Sequence, residues 1–274
     1  MSFEDKTLVV TGTASGIGAA TSALLIERGA HVIGLDLDEG DGPASNFVRC
    51  DLSNPAEIDN AIAKIDRPLH GLANVAGVPG STSGETVMRV NVLGLRHLTE
   101  ALLPRLEAGS AVVHVASGAG AGWRERLAPI RTLLQCRSFD DGLAWVRDHP
   151  MDGPEAYNFS KEVVIVYALA GSMLARPHGV RSLSISPGAV ETPILKDFYD
   201  TMGKDILDRL KEQSGGRNGT PDDIARIIAF ALSDDAAWLN GTDIGADGGS
   251  EVALSFDLVE TSATDAVDAF FGRG

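Results

Sequence analysis

Cysteine is scarce in this sequence. It occurs twice, as Cys50 and Cys136, far apart and outside any CxxC pair. Two such thiols provide neither the disulfide framework of a small secreted protein nor the ligand spacing of a zinc site. The six histidines follow no HExxH or similar spacing. We therefore expect two reduced thiols and no bound metal.

Positive charge is also in short supply. The 23 Lys and Arg residues are outnumbered by 38 Asp and Glu residues, and the formal net charge is -15. Affinity for nucleic acid comes largely from basic side chains that neutralise phosphates. The charge balance therefore argues against a nucleic-acid partner.

Long apolar runs are missing as well. The longest, such as residues 163–171, fall far short of the ~20 residues that cross a bilayer. Residues 1–6 lack the basic region of a secretory signal. These absences predict a soluble, cytoplasmic protein without a membrane partner. The hydrophobic fraction of 44% is nevertheless ample for a globular core.

What the sequence does contain is a regular alternation of strand and helix patterns. Apolar and β-branched runs predict strands at 7–11, 31–36, 47–50, 69–75, 111–115, 180–185 and 242–246. Helical spacing predicts helices at 19–28, 55–65, 85–106, 157–175 and 221–232. This alternation is typical of an α/β fold with a doubly wound parallel sheet, the Rossmann fold. We expect one domain over residues 1–253 and a tail over 254–274 that no pattern assigns.

Two segments interrupt the alternation. Residues 118–155 carry apolar side chains at helical spacing and predict a helical hairpin inserted after a strand, while residues 193–218 hold another amphipathic stretch. Both would emerge beyond the carboxyl ends of strands, where open α/β sheets bind ligands, so we expect the second to form a substrate lid. Five aromatic side chains there either line a pocket or pack in the hairpin's own core: Trp123, Phe139, Trp145, Phe198 and Tyr199.

A glycine-rich turn joins the first predicted strand to the first predicted helix. Its candidate cofactor contacts are Gly12, Ser15, Gly16, Ile17 and Gly18. Glycines allow close backbone approach, and the free amides at the following helix start attract a pyrophosphate. Asp36 ends the second predicted strand, where a carboxylate can accept hydrogen bonds from a ribose diol. Because that carboxylate would repel a 2′-phosphate, the pattern predicts NAD rather than NADP.

Tyr157 and Lys161 stand four residues apart at the start of a predicted helix, so their side chains share one face. A free phenol has a pKa of about 10 and is a poor base at neutral pH, but a nearby ammonium stabilises the phenolate. The pair therefore suits acid/base catalysis.

The order of these motifs resembles that of the short-chain dehydrogenase/reductase family. The resemblance covers about residues 6–250 and rests on TGxxxGIG at the first turn, NxAG at Asn74, a strand that ends at Ser117, YxxxK, the Pro187-Gly188 pair and a late DGG. It implies a dehydrogenase or reductase that uses NAD and acts on a hydroxyl or carbonyl group. Tyr157 would be its general acid/base.

The resemblance also implies roles for other residues. Lys161 would lower the pKa of Tyr157 and hold the nicotinamide ribose, and Ser117 would hydrogen-bond the substrate oxygen. Asn91 would position a water relay behind Lys161. The remaining implied cofactor contacts are Asp51 and Leu52 at the adenine, Asn74, Ala76, Gly77, Pro187 and Gly188, and Val190 and Thr192 near the carboxamide. A homodimer or homotetramer is implied as well.

Two departures from the family pattern bear on the substrate. Ala116 stands where a second serine is common, and the 118–155 insertion makes the gap between Ser117 and Tyr157 unusually long. The insertion resembles that of bacterial coniferyl-alcohol dehydrogenases and of 3α-hydroxysteroid dehydrogenase/carbonyl reductases, and residues 71–80 are closer to the coniferyl type. We therefore expect an apolar aromatic or alicyclic alcohol, with a coniferyl-type or benzylic alcohol favoured over a 3α-hydroxysteroid. A non-catalytic NAD(H)-sensing module is the alternative of another class.

Overall fold

Seven parallel strands form one sheet in the order β3-β2-β1-β4-β5-β6-β7. The computed structural model describes residues 1–40, 42–202 and 204–256. The strands are β1 Thr7–Thr11, β2 His31–Asp36, β3 Asn46–Arg49, β4 Leu69–Asn74, β5 Leu106–Val115, β6 Arg181–Pro187 and β7 Asp243–Ala246. The strand order reverses between β1 and β4, and ligands of such sheets bind in the crevice outside that reversal. The doubly wound α/β fold predicted from the sequence is confirmed.

Helices cover both faces of the sheet, as a fully parallel sheet requires. They are α1 Gly16–Glu27, α2 Pro55–Ala63, α3 Gly84–Met88, α4 Leu95–Leu102, α5 Leu127–Leu134, α6 Phe139–Asp148, α7 Gly153–Ala175, α8 Leu195–Met202, α9 Lys204–Gln213, α10 Pro221–Leu232 and α11 Ser250–Ser255. Helices α1 and α10 share one apolar core with the sheet, through Leu25 and Ile228. Helices α2 and α4 share the core on the opposite face, through Ile58 and Leu98.

Helices α5 and α6 form the inserted segment, and they pack on the outer side of α3 and α7. Ile130 and Phe139 of the insertion join one buried cluster with Met88 and with Phe159 and Val163 of α7. The insertion therefore rests mainly against the long helix α7 and the short helix α3. Its first residues, a 3-10 helix at Gly118–Arg124, are the part that directly follows Ser117.

Three boundaries differ from the sequence expectations. Helix α7 begins at Gly153, because the Asp152 side chain caps it by accepting a hydrogen bond from the Glu155 amide at 2.8 Å. The predicted insertion over 118–155 therefore ends before α7, and Tyr157 lies in the second turn of the helix. The helix expected over 85–106 is α3 and α4 joined by a π-helical segment, Arg89–Gly94.

The far end of the chain is only partly described. Helix α11 includes the first residues of the expected 254–274 tail, and residues 257–274 lie outside the described part. Among the residues that are described, no helix is long and apolar enough to cross a membrane.

Candidate active site

The glycine turn after β1 borders a space that side chains larger than glycine would occupy. Gly12 has φ 77° and Gly16 has φ 54°, values in the left-handed region that favours glycine. A Cβ atom on Gly12 would lie 2.9 Å from the Cα of Ala76. The turn thus lets the β4 end and the start of α1 approach each other, and the free amides of α1 border the space between them.

A cleft of about 270 Å³ lies at this turn. Its lining includes most of the predicted cofactor contacts: Gly12, Ser15, Gly16, Ile17, Gly18, Asp36, Asp51, Leu52, Ala76, Gly77 and Thr192. Asn74 is buried below the cleft. Pro187, Gly188 and Val190 lie on the β6 side, outside the described lining. The structure therefore brings together the residues expected at the pyrophosphate and the adenosine.

Asp36 holds a fixed position at the end of β2. Its Oδ2 atom accepts a hydrogen bond from the Ala14 amide at 2.8 Å, and Oδ1 accepts one from the Leu37 amide at 2.7 Å. Oxygen lone pairs remain for a diol, since an ionised carboxylate offers about four acceptor sites. The described lining of the cleft contains the carboxylates of Asp36 and Asp51 and no arginine or lysine. This donor set fits the ribose of NAD and opposes a 2′-phosphate.

Thr11 fastens the β4 end to the glycine turn, a role that the sequence analysis missed. Its buried Oγ1 accepts hydrogen bonds from the amides of Val75 and Ala76 at 2.9 and 3.0 Å. A threonine directly before the first glycine was the available signal. Its partners lie just after another strand, β4, so spacing along the chain could not identify them.

A buried polar network lies under the carboxyl ends of β4 and β5. The Asn74 side-chain amide donates to Thr99 Oγ1 at 2.9 Å and lies 3.2 Å from Nδ1 of His114. The His114 ring also packs edge-on against Tyr167, with centroids 5.5 Å apart. Burial lowers the pKa of His114 to about 3, so the imidazole is neutral at physiological pH.

The depressed pKa of His114 predicts acid lability. Between about pH 6.5 and pH 3 the unfolded chain binds a proton at His114 that the folded chain does not, so stability falls as pH falls through this window. We expect this one group to contribute a loss on the order of 4 kcal/mol. His114→Asn should flatten the decline in urea-unfolding free energy between pH 7 and pH 4. The exposed His178, changed to Asn, is the control, and an unchanged pH slope in His114→Asn would contradict the assignment.

Ser117, Tyr157 and Lys161 meet where β5 ends beside α7. The Lys161 ammonium donates to the Val115 carbonyl at 3.1 Å and lies 5.6 Å from the centroid of the Tyr157 ring. The Ser117 side chain lies close enough to the Tyr157 phenol to lower the pKa of that phenol. One helical turn thus supplies the phenol and the ammonium, and the adjoining strand end supplies the second hydroxyl.

Burial acts on both titratable groups of this trio. It raises the pKa of Tyr157 to about 12, although the nearby Ser117 side chain acts in the opposite direction. It lowers the pKa of Lys161 to about 8. Burial is thus the largest influence on the pKa of the Tyr157 phenol, and the pKa-lowering role expected of Lys161 stays a prediction. The phenol is protonated and the amine is mostly charged at neutral pH.

Asn91 lies in the π-helical segment between α3 and α4. Its side chain accepts from the Val78 amide at 2.8 Å, donates to the Val78 carbonyl at 3.0 Å and donates to Ser160 Oγ at 3.2 Å. A Cβ atom on Gly77 would lie 3.3 Å from Asn91 Oδ1 and 3.7 Å from Lys161 Nζ. Asn91 thus ties the loop after β4 to α7 directly behind Lys161. Single π turns are frequent at functional sites.

The segment after β6 closes over the site. A Cβ atom on Gly16 would lie 3.1 Å from Cγ2 of Thr192, so the residue just before the predicted lid touches the glycine turn. Further along, the Phe198 ring of α8 packs edge-on against the Tyr157 ring, with centroids 5.2 Å apart. Of the five aromatic candidates, Phe198 therefore meets the catalytic trio. Phe139 is buried in the core that the insertion shares with α3 and α7.

Comparison with known proteins agrees with this geometry. The chain matches the short chain dehydrogenase family over residues 6–128 and the enoyl-(acyl carrier protein) reductase family over residues 146–251. It is 38% identical over 255 residues to the coniferyl-alcohol dehydrogenase of Pseudomonas sp. (strain HR199 / DSM 7063), covering 91% of this chain and 98% of that protein. This chain belongs to the short-chain dehydrogenase/reductase family. As a member of the family it is an oxidoreductase that uses a nicotinamide dinucleotide, NAD(P).

Other members of the short-chain dehydrogenase/reductase family are similar over comparable lengths. The 3-alpha-hydroxysteroid dehydrogenase/carbonyl reductase of Comamonas testosteroni is 30% identical, covering 90% of this chain and 97% of that one. The crystal structure of the 3-alpha-hydroxysteroid dehydrogenase from Pseudomonas sp. B-0831 complexed with NADH superimposes with a TM-score of 0.77 at 30% identity, covering 91% of this chain and 98% of the other. The predicted family and fold are thus confirmed.

Proposed function

We propose that this short-chain dehydrogenase/reductase transfers a hydride between NAD(H) and the hydroxyl or carbonyl group of an apolar aromatic or alicyclic alcohol, with coniferyl-type or benzylic alcohols favoured. The observation that carries the proposal is the apposition of Tyr157, Ser117 and Lys161 under the ring of Phe198. Acid/base groups converge there, and the wall facing them is aromatic. A flat ring next to the reacting carbon would pack favourably against such a wall.

The residues of the cleft fit NAD part by part. The turn from Gly12 to Gly18 would hold the pyrophosphate with backbone amides, and Asp36 would hold the adenosine ribose. Asp51 and Leu52 would border the adenine. Toward the other end, the proposed contacts are Asn74, Ala76, Gly77, Tyr157, Lys161, Pro187, Gly188, Val190 and Thr192. When bound, NAD accepts the hydride or returns it.

The remaining chemistry falls to the chain's own side chains. In oxidation, the Tyr157 oxygen takes the proton of the substrate hydroxyl, and in reduction the phenol gives a proton to the carbonyl oxygen. Ser117 donates a hydrogen bond to the same substrate oxygen and thereby fixes its position. The Lys161 charge stabilises the phenolate that forms. Asn91 positions the relay through which a proton reaches Lys161 from solvent.

Two alternatives compete with this substrate assignment. A 3α-hydroxysteroid is supported by the 30% identity to the Comamonas testosteroni enzyme, but the identity to the coniferyl-alcohol dehydrogenase is higher at 38%. A non-catalytic NAD(H) sensor is the weaker alternative, because a sensor would have no need to keep Asn91, Ser117, Tyr157 and Lys161 together. The cytoplasmic location expected from the sequence stays a prediction.

The deciding experiment follows NADH formation at about 340 nm, the nicotinamide absorbance, with NAD and a panel of alcohols. The panel contains coniferyl alcohol, other benzylic alcohols, 3α-hydroxysteroids and simple cyclohexanols. We expect the highest kcat/KM for coniferyl or benzylic alcohols. A higher value for 3α-hydroxysteroids would favour the steroid assignment. No turnover with any alcohol, together with tight NADH binding, would favour the sensor.

We also propose that the enzyme is a homodimer built through its β7 edge. The insertion covers the outer side of α3 and α7, which removes that face from subunit contacts. Strand β7 is an edge strand of the sheet. The nearby turn exposes Trp238 almost fully, at 98%, and Met173 and Leu174 at the end of α7 are exposed as well. Large apolar side chains grouped at one edge are typical of a protein interface.

This interface predicts a change of mass on substitution of Trp238. Trp238→Ser is expected to convert a dimer to a monomer in analytical ultracentrifugation at micromolar concentration, because a central tryptophan often carries much of the binding energy. Leu127→Ser, at an exposed position of the insertion, is the matched control and should leave the mass unchanged. The reverse pattern would move the interface to the insertion.

A further inference from the structure

Arg89 holds the loop at the adenosine end of the cleft. Its Nη2 and Nε atoms both donate to the carbonyl oxygen of Ser53, at 2.8 and 3.0 Å. Ser53 follows Asp51 and Leu52, which line the cleft, and the Ser53 amide donates to Asp51 Oδ1 at 2.8 Å. Because a guanidinium presents its donors in a rigid plane, two bonds to one carbonyl fix the direction of that loop.

The inserted helix α6 in turn holds Arg89. Arg147 of α6 forms two parallel hydrogen bonds with the carboxylate of Glu85, both at 3.0 Å. The same carboxylate lies 3.5 Å from Nη1 of Arg89. The Phe139 ring, also on α6, lies under the Arg89 guanidinium at 5.8 Å from its centroid. The insertion therefore touches Arg89 by an ionic path and by a cation-π contact.

The ionic path is too exposed to account for the stability of the insertion. The side chains of Arg147 and Glu85 are 58% and 39% exposed, and exposed ion pairs contribute little to folding. Helix α6 is instead anchored by the buried Phe139, Leu143 and Val146. The contact of Glu85 with both Arg147 and Arg89 instead suits this pair to setting the orientation of Arg89.

We propose that Arg89 is a positioning residue of the cofactor site, through which the inserted helix α6 sets the affinity for the adenosine half of NAD. The inference rests on the proposed placement of the adenine beside Asp51 and Leu52. It gives the insertion a task at the end of the cleft remote from Tyr157. Arg89 holds the backbone that borders the cofactor and takes no part in the reaction.

The test compares binding of AMP, of nicotinamide mononucleotide and of NADH. Arg89→Met keeps the length of the side chain and removes its donors. We expect its Kd for AMP and for NADH to rise about 5- to 50-fold, because charge-assisted hydrogen bonds hold the loop. The Kd for nicotinamide mononucleotide and kcat at saturating NAD should stay within about twofold of wild type. Arg89→Lys should recover part of the loss.

Arg105 offers a matched control for loss of an arginine that binds carbonyls. It donates to the carbonyl oxygens of Ile62 at 3.0 Å and of Ile65, where α2 ends and β5 begins, at the amino ends of the strands and away from the cleft. Arg105→Met should leave AMP affinity unchanged even if it lowers stability. Equal loss of AMP affinity in both variants would overturn the proposal, as would equal loss of AMP and nicotinamide mononucleotide affinity in Arg89→Met.

Arg147→Gln tests the link to the insertion without touching the core. We expect a rise in the Kd for AMP of about two- to fivefold, and no further rise when the change is added to Arg89→Met, since coupled residues give non-additive effects. Additive effects would overturn the link. Asp36→Ala distinguishes the role proposed for Arg89 from the proposed placement of the adenosine. If Asp36→Ala weakens AMP binding and Arg89→Met does not, the role proposed for Arg89 is wrong and the placement of the adenosine stands. If neither variant weakens AMP binding, the proposed placement of the adenosine is wrong as well.

Discussion

Tyr157→Phe is expected to lower kcat for alcohol oxidation by about 10² to 10⁴, the range for loss of an acid/base group. The change removes a single oxygen atom and leaves the ring that packs against Phe198 at 5.2 Å. The Kd for NADH should therefore stay close to that of wild type. The measurement is steady-state oxidation of the best alcohol of the panel, together with fluorescence titration of NADH.

Tyr167 provides the control for this change. It lies on the same helix, α7, is buried and packs against His114 with its ring. Tyr167→Phe likewise removes one phenolic oxygen from α7, but away from the Ser117 and Lys161 side chains. We expect kcat within a fewfold of wild type. Wild-type activity in Tyr157→Phe, or an equal loss in both variants, would contradict the role given to Tyr157.

The pKa shifts at the site predict different pH dependences for alcohol oxidation and carbonyl reduction. With the pKa of Tyr157 at about 12, the phenol is protonated near neutral pH and ready to donate a proton to a carbonyl oxygen. Oxidation needs the phenolate, so its rate should increase with pH. Above the Lys161 pKa of about 8 the neighbouring positive charge is lost, which opposes that increase. Reduction is thus expected to have the lower pH optimum of the two directions.

The sheet, the glycine turn and Asp36 were predictable because each depends on neighbours in sequence. Apolar runs mark strands, and glycines at a strand end mark the turn. Asp36 ends the strand that pairs with β1, and parallel pairing alone brings it to the cleft. The Tyr157 and Lys161 pair follows from the spacing of one helical turn. These parts of the site needed no knowledge of long-range contacts.

The parts that were missed depend on contacts between distant segments. Thr11 bonds to amides just after β4, and Arg89 bonds to a carbonyl after β3. Neither partner can be identified from spacing along the chain. The π-helical segment at Asn91 follows a helix-like pattern, because one extra residue in a turn changes the period only slightly. The start of α7 was placed too late because its cap, Asp152, stands several residues ahead of the apolar pattern.

Asp36→Asn is expected to relax the preference for NAD over NADP by about 10²- to 10³-fold. Asparagine keeps an oxygen that can accept from the Ala14 amide, the bond that Asp36 makes at 2.8 Å, so the glycine turn should stay in place. What is lost is the negative charge, together with the second oxygen that accepts from the exposed Leu37 amide at 2.7 Å. Two unit charges about 4 Å apart interact by about 4 kcal/mol at an effective dielectric constant near 20, and each 1.4 kcal/mol is a factor of about ten. This repulsion would weaken the binding of NADP, whose 2′-phosphate would lie beside the Asp36 carboxylate.

Asp36→Ala separates charge from hydrogen bonding in the same experiment. It removes the repulsion and also the acceptor for Ala14, so kcat/KM for NAD should fall further than in Asp36→Asn, while the ratio of the values for NAD and NADP relaxes in both. The measurement is kcat/KM for each cofactor at a fixed alcohol concentration. A wild type that prefers NADP, or an unchanged ratio in Asp36→Asn, would refute the hypothesis that the Asp36 carboxylate selects NAD over NADP. Since the described lining of the cleft holds no basic side chain, neither variant should gain a strong preference for NADP, and the expected end point is an enzyme that accepts both.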